Sequence, residues 1–361
     1  MSAANAAGPL SKVSLVDLVE HDLPELADFV AARSGRAASE TLSRLTWLLL
    51  ENPSRSEFGL LGCGVRSSQG ALVGCILYLP QMFVFEEKPL LMLGSTCFYG
   101  DESHRGSGGA LFLKFTRAAN QCPLFGNSAN AIAAQLWKAR GATPIPDSDH
   151  ELLGVIRWPP VVEELAVRRG AGKSLARAAG AATAWLHHVR KLSLPIDQEC
   201  ELVRLSSVEE ATERLRTKLS NYLTARRDES YIRWRYFSGQ DPSTAVFVFR
   251  NPRTQNEVFV AVNERLRGYR KQIRSLNVLD VFPKPQPDTM AAVVAALRKK
   301  YRDVTDMIVL RNLDAPCRNR MLEAGFHRRE FESPNGWLLD RRGLLPAHDC
   351  CFVPADGDWL I

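Results

Sequence analysis

Apolar and polar positions follow an order along the chain that occurs twice. In the first half, "SLVDLV" predicts a strand, while "DLPELADFVAAR" and "SETLSRLTWLLLEN" predict helices from their apolar spacing of three and four. Two apolar segments around "SSQG" predict a β-hairpin, and the almost continuous run "PLLMLGSTCFY" predicts a strand buried on both faces. A glycine-rich turn follows, then a helix to about Ala119, the short strand "PLFGNSA" and the helix "NAIAAQLWKARG".

The second half restarts this order. "CELVRLSSVEEATERL" predicts a strand and a helix, a hairpin surrounds "PRTQ", and "IRSLNVLDVF" resembles the earlier buried strand. Two windows align position by position: Asn130, Ala133, Leu136 and Gly141 match Asp314, Cys317, Arg320 and Gly325. We interpret the pattern as an internal duplication. It predicts an α/β (α+β) protein with two tandem lobes.

Composition places the chain among globular proteins and bounds its partners. Of 361 residues, 45% are hydrophobic and 24% charged, and this length suits two domains. The net charge of +6 divides into +1 for residues 1–190 and +5 for the remainder. This excess of positive charge would favour an anionic ligand, but solubility explains it equally well. We expect no nucleic acid as a partner.

Cysteine usage and hydropathy predict an environment without disulfides or membrane spans. The eight cysteines form no C-x-x-C pair, and "HDCC" lacks a second ligand pair, so we expect no metal. No signal-peptide pattern opens the sequence, and no apolar run reaches the ~18 residues of a transmembrane helix. These patterns predict a cytoplasmic protein.

The segment "RGSGGA" carries the strongest chemical signal. It places three glycines where a helix begins, and the free N–H groups of a helix N-terminus attract anions. Gly106, Gly108 and Gly109 leave space for phosphates to approach, and Arg105 adds positive charge. A plain turn would need one glycine, and a dinucleotide loop would need glycine at Leu111, so the pattern favours a pyrophosphate site.

The later "GAGKS" lacks the spacing of a phosphate loop and predicts a turn between helices.

These residues resemble the GNAT superfamily of acyl-coenzyme A-dependent N-acetyltransferases, which carries Arg/Gln-x-x-Gly-x-Gly/Ala at this point. Arg105, Gly108 and Ala110 match that motif. The family's next helix, with Asn-x-x-Ala-x-x-Leu-Tyr before Gly-Phe, is similar to the segment from Asn130 through Trp137 to Gly141. The resemblance covers the first half and implies that each lobe holds a mixed, largely antiparallel sheet flanked by helices.

The resemblance also implies a site. The backbone of Arg105, Gly106, Ser107, Gly108, Gly109 and Ala110 would cradle the pyrophosphate of acetyl-coenzyme A, with Asn130 as a further cofactor contact. Phe98, Tyr99 and Gly100 would pair with the pantetheine arm. An amine or hydroxyl would then attack the thioester directly.

This sequence departs from the family where acid and base are usual. Trp137 replaces the tyrosine that protonates the departing thiolate, and "LLMLGSTCFY" has no carboxylate to act as base. Tyr99 and His104 are the candidate catalytic residues that remain. Each also has an ordinary interpretation, Tyr99 as packing beside the cofactor and His104 as a solvated loop residue.

The predicted domains are a disordered stretch (1–12), a GNAT-like acyl-coenzyme A domain (13–160), a basic helical linker (161–195) and a degenerate second lobe (196–361). In that lobe the turn reads "VFPKPQPDTM", and its three prolines remove N–H donors. "YIRWRYF" and "DGDW" resemble segments of tandem-GNAT proteins linked to polysaccharide and envelope synthesis. The first would equally fit a packed helix with one charged face.

We expect an acyl-coenzyme A-dependent N- or O-acyltransferase acting on a small-molecule or sugar-type acceptor linked to the envelope or to polysaccharide. An anionic acceptor would be steered by the basic cluster of the second half: Arg265, Arg267, Arg270, Lys271 and Arg274. The alternatives are a Fem-type peptidyl transferase that uses aminoacyl-tRNA, and a non-catalytic acyl-coenzyme A-binding regulator.

Overall fold

The structure is a computed structural model that describes residues 13–101, 103–104, 106–183, 194, 200–215, 222–252, 256–345 and 350–357. The predicted disorder of residues 1–12, the end of the predicted linker and the side chain of Arg105 lie outside the described residues. The chain forms two compact units. Unit 1 contains Met1–Pro144 and Asn335–Ala347, and unit 2 contains Ile145–Pro334 and His348–Leu360.

Unit 1 is built on a mixed sheet. Its strands are β1 (Val13–Leu18), β2 (Gly62–Ser67), β3 (Leu72–Phe85), β4 (Lys88–Gly100), β5 (Leu124–Gly126), β6 (Thr143–Pro144) and, late in the chain, β15 (Trp337–Leu339). They lie in the order β1-β2-β3-β4-β5-β15-β6, and only β4 and β5 are parallel among these neighbours. The helices are α1 (Leu23–Ser34), α2 (Ala38–Leu45), α3 (Ser107–Thr116) and α4 (Ala131–Ala139).

Unit 2 repeats this plan. Its strands are β7 (His150–Val155), β8 (Glu201–Arg204), β9 (Thr224–Ala225), β10 (Thr244–Asn251), β11 (Asn256–Arg267), β12 (Ile273–Phe282), β13 (Met307–Arg311) and β14 (His327–Glu330). Seven of them form a sheet in the order β8-β10-β11-β12-β13-β7-β14, with only β12 and β13 parallel among neighbours. The helices are α5 (Trp158–Arg168), α6 (Lys173–Ala182), α7 (Val208–Leu215), α8 (Glu229–Tyr236), α9 (Pro287–Tyr301) and α10 (Ala315–Glu323).

The two sheets have the same order and the same polarity, which confirms the predicted fold class. The aligned positions also perform the same tasks. Asn130 caps α4 by accepting the N–H of Ala133 at 2.9 Å, and Asp314 caps α10 by accepting the N–H of Cys317 at 3.0 Å. The duplication is therefore visible in hydrogen bonds as well as in topology.

In the linear order of each sheet, one strand comes from the other half of the chain. β15 occupies the place between β5 and β6 in unit 1, and β7 occupies the corresponding place between β13 and β14 in unit 2. The compact units consequently have different limits from the predicted lobes, because β7 belongs to the sequence range 13–160 but pairs in the sheet of unit 2.

The predicted linker begins in two helices of unit 2. α5 ends at Arg168 and α6 begins at Lys173, so "GAGKS" forms the turn between them, where Gly170 has a φ of 86°. Among the described residues, no helix combines the length and apolar character that crossing a membrane requires.

Candidate functional site

A bulge in the central strand of unit 1 prepares the candidate site. Cys75 of β3 pairs with Tyr99, but Leu77 pairs with Thr96, so β4 carries one residue more than β3 across this interval. Cys97 lies in the interval with a φ of 47°. Bulges of this kind bend a strand and redirect the side chains that follow. In β4 the side chains that follow the bulge are those of Phe98 and Tyr99.

The sheet opens beside the bulge. The parallel pairing of β4 with β5 is confined to Leu93 with Leu124 and Gly94 with Phe125 in the described register. β4 continues to Gly100, six residues beyond that pairing. β4 therefore extends past its described pairing with β5, and the segment 95–100 borders this opening.

The glycine-rich turn leads directly from this strand into α3. Gly106 is the N-cap residue with a φ of 86°, a conformation that favours glycine. α3 begins at Ser107, whose N–H donates to the carbonyl of His104 at 3.1 Å, so the N–H groups of Gly108 and Gly109 are the first-turn donors without an acceptor inside the helix. A Cβ added at Gly106 or Gly109 would meet nothing within 4 Å, and one at Gly108 would lie 3.6 Å from Cζ of Phe98. The glycines thus leave open space beside the start of α3, where a helix end attracts anions.

His104 belongs to a polar network within this turn. Its Nδ1 lies 2.9 Å from the hydroxyl of Ser103, and that hydroxyl donates to Asp101 at 2.6 Å. Hydrogen bonds from the hydroxyl and N–H of Ser103 lower the pKa of Asp101, and Arg33 lies 3.6 Å from the same carboxylate. These contacts order the loop that leads into α3, and His104 takes part in them.

The other predicted site residues are distributed as follows. Phe98 and Tyr99 are half-buried, Gly100 ends β4, and Ser107 is buried at the start of α3. Ala110 donates its N–H to Gly106 at 3.1 Å. Asn130 is exposed and its side-chain oxygen caps α4. The described residues between 98 and 110 therefore lie at the end of β4 and the start of α3, and Asn130 has a structural hydrogen bond.

Trp137 lies in the core. Its ring packs edge-on against Phe112 and Phe115, with centroids 5.1 and 5.7 Å apart, and its side chain is 1% exposed. The residue in the position of the family's tyrosine thus serves packing.

Unit 2 has the same opening without the cradle. β12 carries an extra residue at Leu279, because Asp280 pairs with Ala261 but Val278 pairs with Val262. Its pairing with β13 ends at Asn277. α9 begins at Pro287, after a segment that contains Pro283 and Pro285 but no glycine, and Asp288 adds a negative charge to the first turn of this helix.

A buried polar network, which sequence reasoning missed, surrounds the end of β12. Arg227 donates twice to Asp280 at 2.8 Å, and the hydroxyl of Tyr236 donates to Asp280 at 2.6 Å. Tyr231 reaches Asp356 at 3.3 Å, and Arg235 bonds the carbonyl of Gly357. "YIRWRYF" and the start of "DGDW" therefore meet in one network, while the rest of "DGDW" lies outside the described residues. The only sequence signal for this network was the resemblance of both segments to tandem-GNAT proteins.

α8 does not have the single charged face that one interpretation predicted. Arg235 is 3% exposed, whereas Arg233 points to the surface and pairs with Glu229 and Glu209. The two arginines have different environments because they are two positions apart on a helix.

Four arginines of the predicted steering cluster lie near carboxylates. Arg265 pairs with Asp241 at 2.6 Å and Arg267 with Glu151 at 2.9 Å. Arg270 lies 3.5 Å from Glu163, and Arg274 lies 3.7 Å from Asp306. The sequence did not show which carboxylates the fold brings to these side chains, and steering of an anionic acceptor by the cluster stays a prediction.

No protein-family model matches the sequence, and no curated protein matches it either. Solved structures do. A probable N-acyltransferase of unknown function from Enterococcus faecalis has a TM-score of 0.56 at 11% identity, covering 91% of this chain and 72% of that one. A GCN5-related N-acetyltransferase from Anabaena variabilis has 0.54 at 10% identity, covering 91% and 72%. N-myristoyltransferase of Saccharomyces cerevisiae with bound myristoyl-coenzyme A has 0.53 at 12% identity, covering 98% and 85%.

These similarities extend over nearly the whole chain and include both sheets. The protein therefore has the fold of the GNAT acyltransferases in a tandem arrangement, as the residues of the glycine-rich turn predicted. At this level of identity the likeness defines the fold, and the chemistry has to be argued from the site.

Proposed function

We propose that the protein is an acyl-coenzyme A-dependent N- or O-acyltransferase whose donor site lies in unit 1. One observation carries the proposal: a bulged central strand, an open sheet edge and a glycine cradle follow one another within residues 93–110. A long donor with a pyrophosphate at one end and an amide-containing arm at the other needs this combination.

Different residues would contact different parts of the donor. The N–H groups at the start of α3 would hold the pyrophosphate, helped by the partial positive charge of the helix end. The main chain of Phe98, Tyr99 and Gly100 would align the pantetheine arm by strand-like pairing. When bound, the thioester supplies an activated acyl group. Orientation by these contacts brings its carbonyl within reach of an acceptor amine or hydroxyl.

The groups that would transfer protons are less clearly defined than the groups that would bind the donor. Tyr99 is half-buried at the bulge and stays our first candidate for contact with the reacting groups. His104 is held by Ser103 and Asp101 at the phosphate end, which favours a role in ordering the turn. With a strongly nucleophilic acceptor, solvent can accept the proton, and positioning then supplies most of the rate enhancement.

Release of free coenzyme A tests the proposal. The full chain would be incubated with acetyl-coenzyme A and longer acyl donors, together with a panel of amines, amino sugars and sugar nucleotides, while a thiol reagent reports the product. We expect acceptor-dependent release and an acylated acceptor in the mass spectrum. Tight coenzyme A binding without turnover for every donor and acceptor would instead favour the non-catalytic regulator. Transfer from aminoacyl-tRNA without coenzyme A binding would favour the peptidyl transferase.

A further inference from the structure

Unit 2 exposes four large apolar side chains on three of its segments. At the hairpin between β11 and β12, Tyr269 is 80% exposed and Leu266 is 59% exposed. Leu165 on α5 is 48% exposed, and Leu175 on α6 is 67% exposed. A single exposed apolar residue is common on protein surfaces and needs no explanation. The four residues acquire a meaning only if the segments that carry them meet.

Two glutamates of α5 join these segments. Glu164 accepts the N–H of Tyr269 at the hairpin. Glu163 lies 3.5 Å from Arg270 of the hairpin and 4.0 Å from Arg177 of α6. The hairpin, α5 and α6 therefore meet in one region of unit 2. We call residues 158–182 and 264–271 the hairpin patch.

The hairpin patch has a surplus of positive charge. It contains eight cations and three carboxylates, and five of the cations are exposed: Arg168, Arg169, Lys173, Arg177 and Lys271. Two of its other cations, Arg265 and Arg267, pair with Asp241 and Glu151 from outside the patch. With these two partners included, eight cations still face five carboxylates. The hairpin patch therefore complements a partner with closely spaced negative charges.

The combination of exposed cations with exposed leucines favours a lipid surface over other anionic partners. Proteins that lie on anionic membranes place basic side chains at the headgroups and apolar or aromatic side chains at the boundary with the acyl chains. Nucleic acid would use the same cations, but it binds through phosphates and through stacking on aromatic rings. Three exposed leucines would have no role in that contact.

We propose that the hairpin patch binds the surface of a membrane that contains anionic lipids. Its leucines and Tyr269 would enter the interface between headgroups and acyl chains, and its exposed cations would contact the headgroups. The proposal does not depend on acyl transfer in unit 1. It would give the lobe without a cradle a task of its own, which is to hold the donor site of unit 1 at a lipid surface.

Flotation of the full chain with lipid vesicles tests this surface. One set of vesicles contains phosphatidylcholine alone, and the other contains phosphatidylglycerol as well. We expect at least tenfold stronger partition onto the vesicles with phosphatidylglycerol. Partition should fall when salt is raised, because the screening length shortens from about 10 Å at 0.1 M to about 3 Å at 1 M. Equal partition onto both sets, or onto neither, would overturn the proposal, and so would binding of single-stranded RNA in place of vesicles.

A pair of apolar substitutions locates the contact. The double variant Leu266→Ser with Tyr269→Ser should weaken partition onto anionic vesicles at least tenfold. Ile132→Ser is the matched control, because Ile132 is 72% exposed on α4 of unit 1, and it should leave partition within about twofold. Equal partition of the double variant and the wild type would overturn the assignment. A dimer of the wild type that the double variant converts to a monomer would assign the patch to a contact between copies and would also overturn it.

A pair of charge substitutions tests the cations separately. Each basic residue near an anionic membrane contributes about fivefold to binding, so Arg169→Ser with Lys271→Ser should weaken partition at least tenfold. Arg117→Ser with Lys138→Ser removes one exposed arginine and one exposed lysine from unit 1 and should change partition less than about twofold. Equal losses in both double variants would show a general effect of net charge and would overturn the assignment. Coenzyme A affinity, measured on the same samples, separates failure of this surface from failure of the donor site.

Discussion

Replacing Gly108 with valine should block the donor site while leaving the fold intact. A Cβ at this position lies 3.6 and 3.9 Å from carbon atoms of Phe98, which is ordinary van der Waals contact. The protein itself can therefore accept a side chain here. A phosphate bonded to the first-turn N–H groups must approach the same space and would meet the valine instead. We expect coenzyme A affinity to fall at least tenfold, which corresponds to about 1.4 kcal/mol.

Gly172→Val is the matched control. It makes the same substitution at the N-cap of α6, outside the proposed donor site, where an added Cβ would meet nothing within 4 Å. Calorimetric titration with coenzyme A should show a large loss for the Gly108 variant and a loss of less than about threefold for the control. Thermal unfolding would verify that both variants are folded. Unchanged affinity in a folded Gly108→Val protein would refute the cradle, and equal losses in both would show that the effect does not come from this turn.

Three further predictions concern unit 2. Calorimetry should find one coenzyme A per chain, because the entrance to α9 has no glycine and its first turn carries the negative charge of Asp288; a stoichiometry of two would show that this turn also binds phosphate. Arg227→Met should lower the free energy of unfolding by about 3–5 kcal/mol, since it leaves Asp280 buried without its guanidinium, whereas the exposed Arg233→Met should change it by less than about 1 kcal/mol in urea titration. Burial raises the pKa of Asp356 to about 6, so its contribution to stability is complete below about pH 4 and is lost as the pH rises to about 6. The stability of the wild type relative to Asp356→Asn should fall by about 3 kcal/mol across that interval, and parallel pH profiles would contradict this assignment.

Local patterns in the sequence were sufficient for much of the fold. The period of apolar residues predicted the order of strands and helices, and the windows around Asn130 and Asp314 predicted the duplication that the two caps display. The glycines at 106, 108 and 109 predicted a turn that opens directly into a helix, and the phosphate site at this turn stays a prediction.

Other features depend on contacts between distant residues. No feature of the neighbouring sequence requires Cys97 to adopt a positive φ. The bulge arises from the pairing of β4 with β3. Nothing local in the sequence of β7 assigns that strand to the sheet of unit 2, and the environment of Arg235 follows from Gly357, which lies 122 residues away. Ion pairs such as Arg267 with Glu151 likewise appear only when the chain is folded.

The exchanged strands β7 and β15 limit how this chain could be divided. If it were split in the region between α6 and β8, the first fragment would lack the strand between β5 and β6, and the second would lack the strand between β13 and β14. Each fragment would then expose unpaired strand edges, which promote aggregation. A split-protein reporter made from these halves should consequently regain order only by complementation. Deleting residues 196–361 as one lobe would likewise remove β15 from the sheet of unit 1.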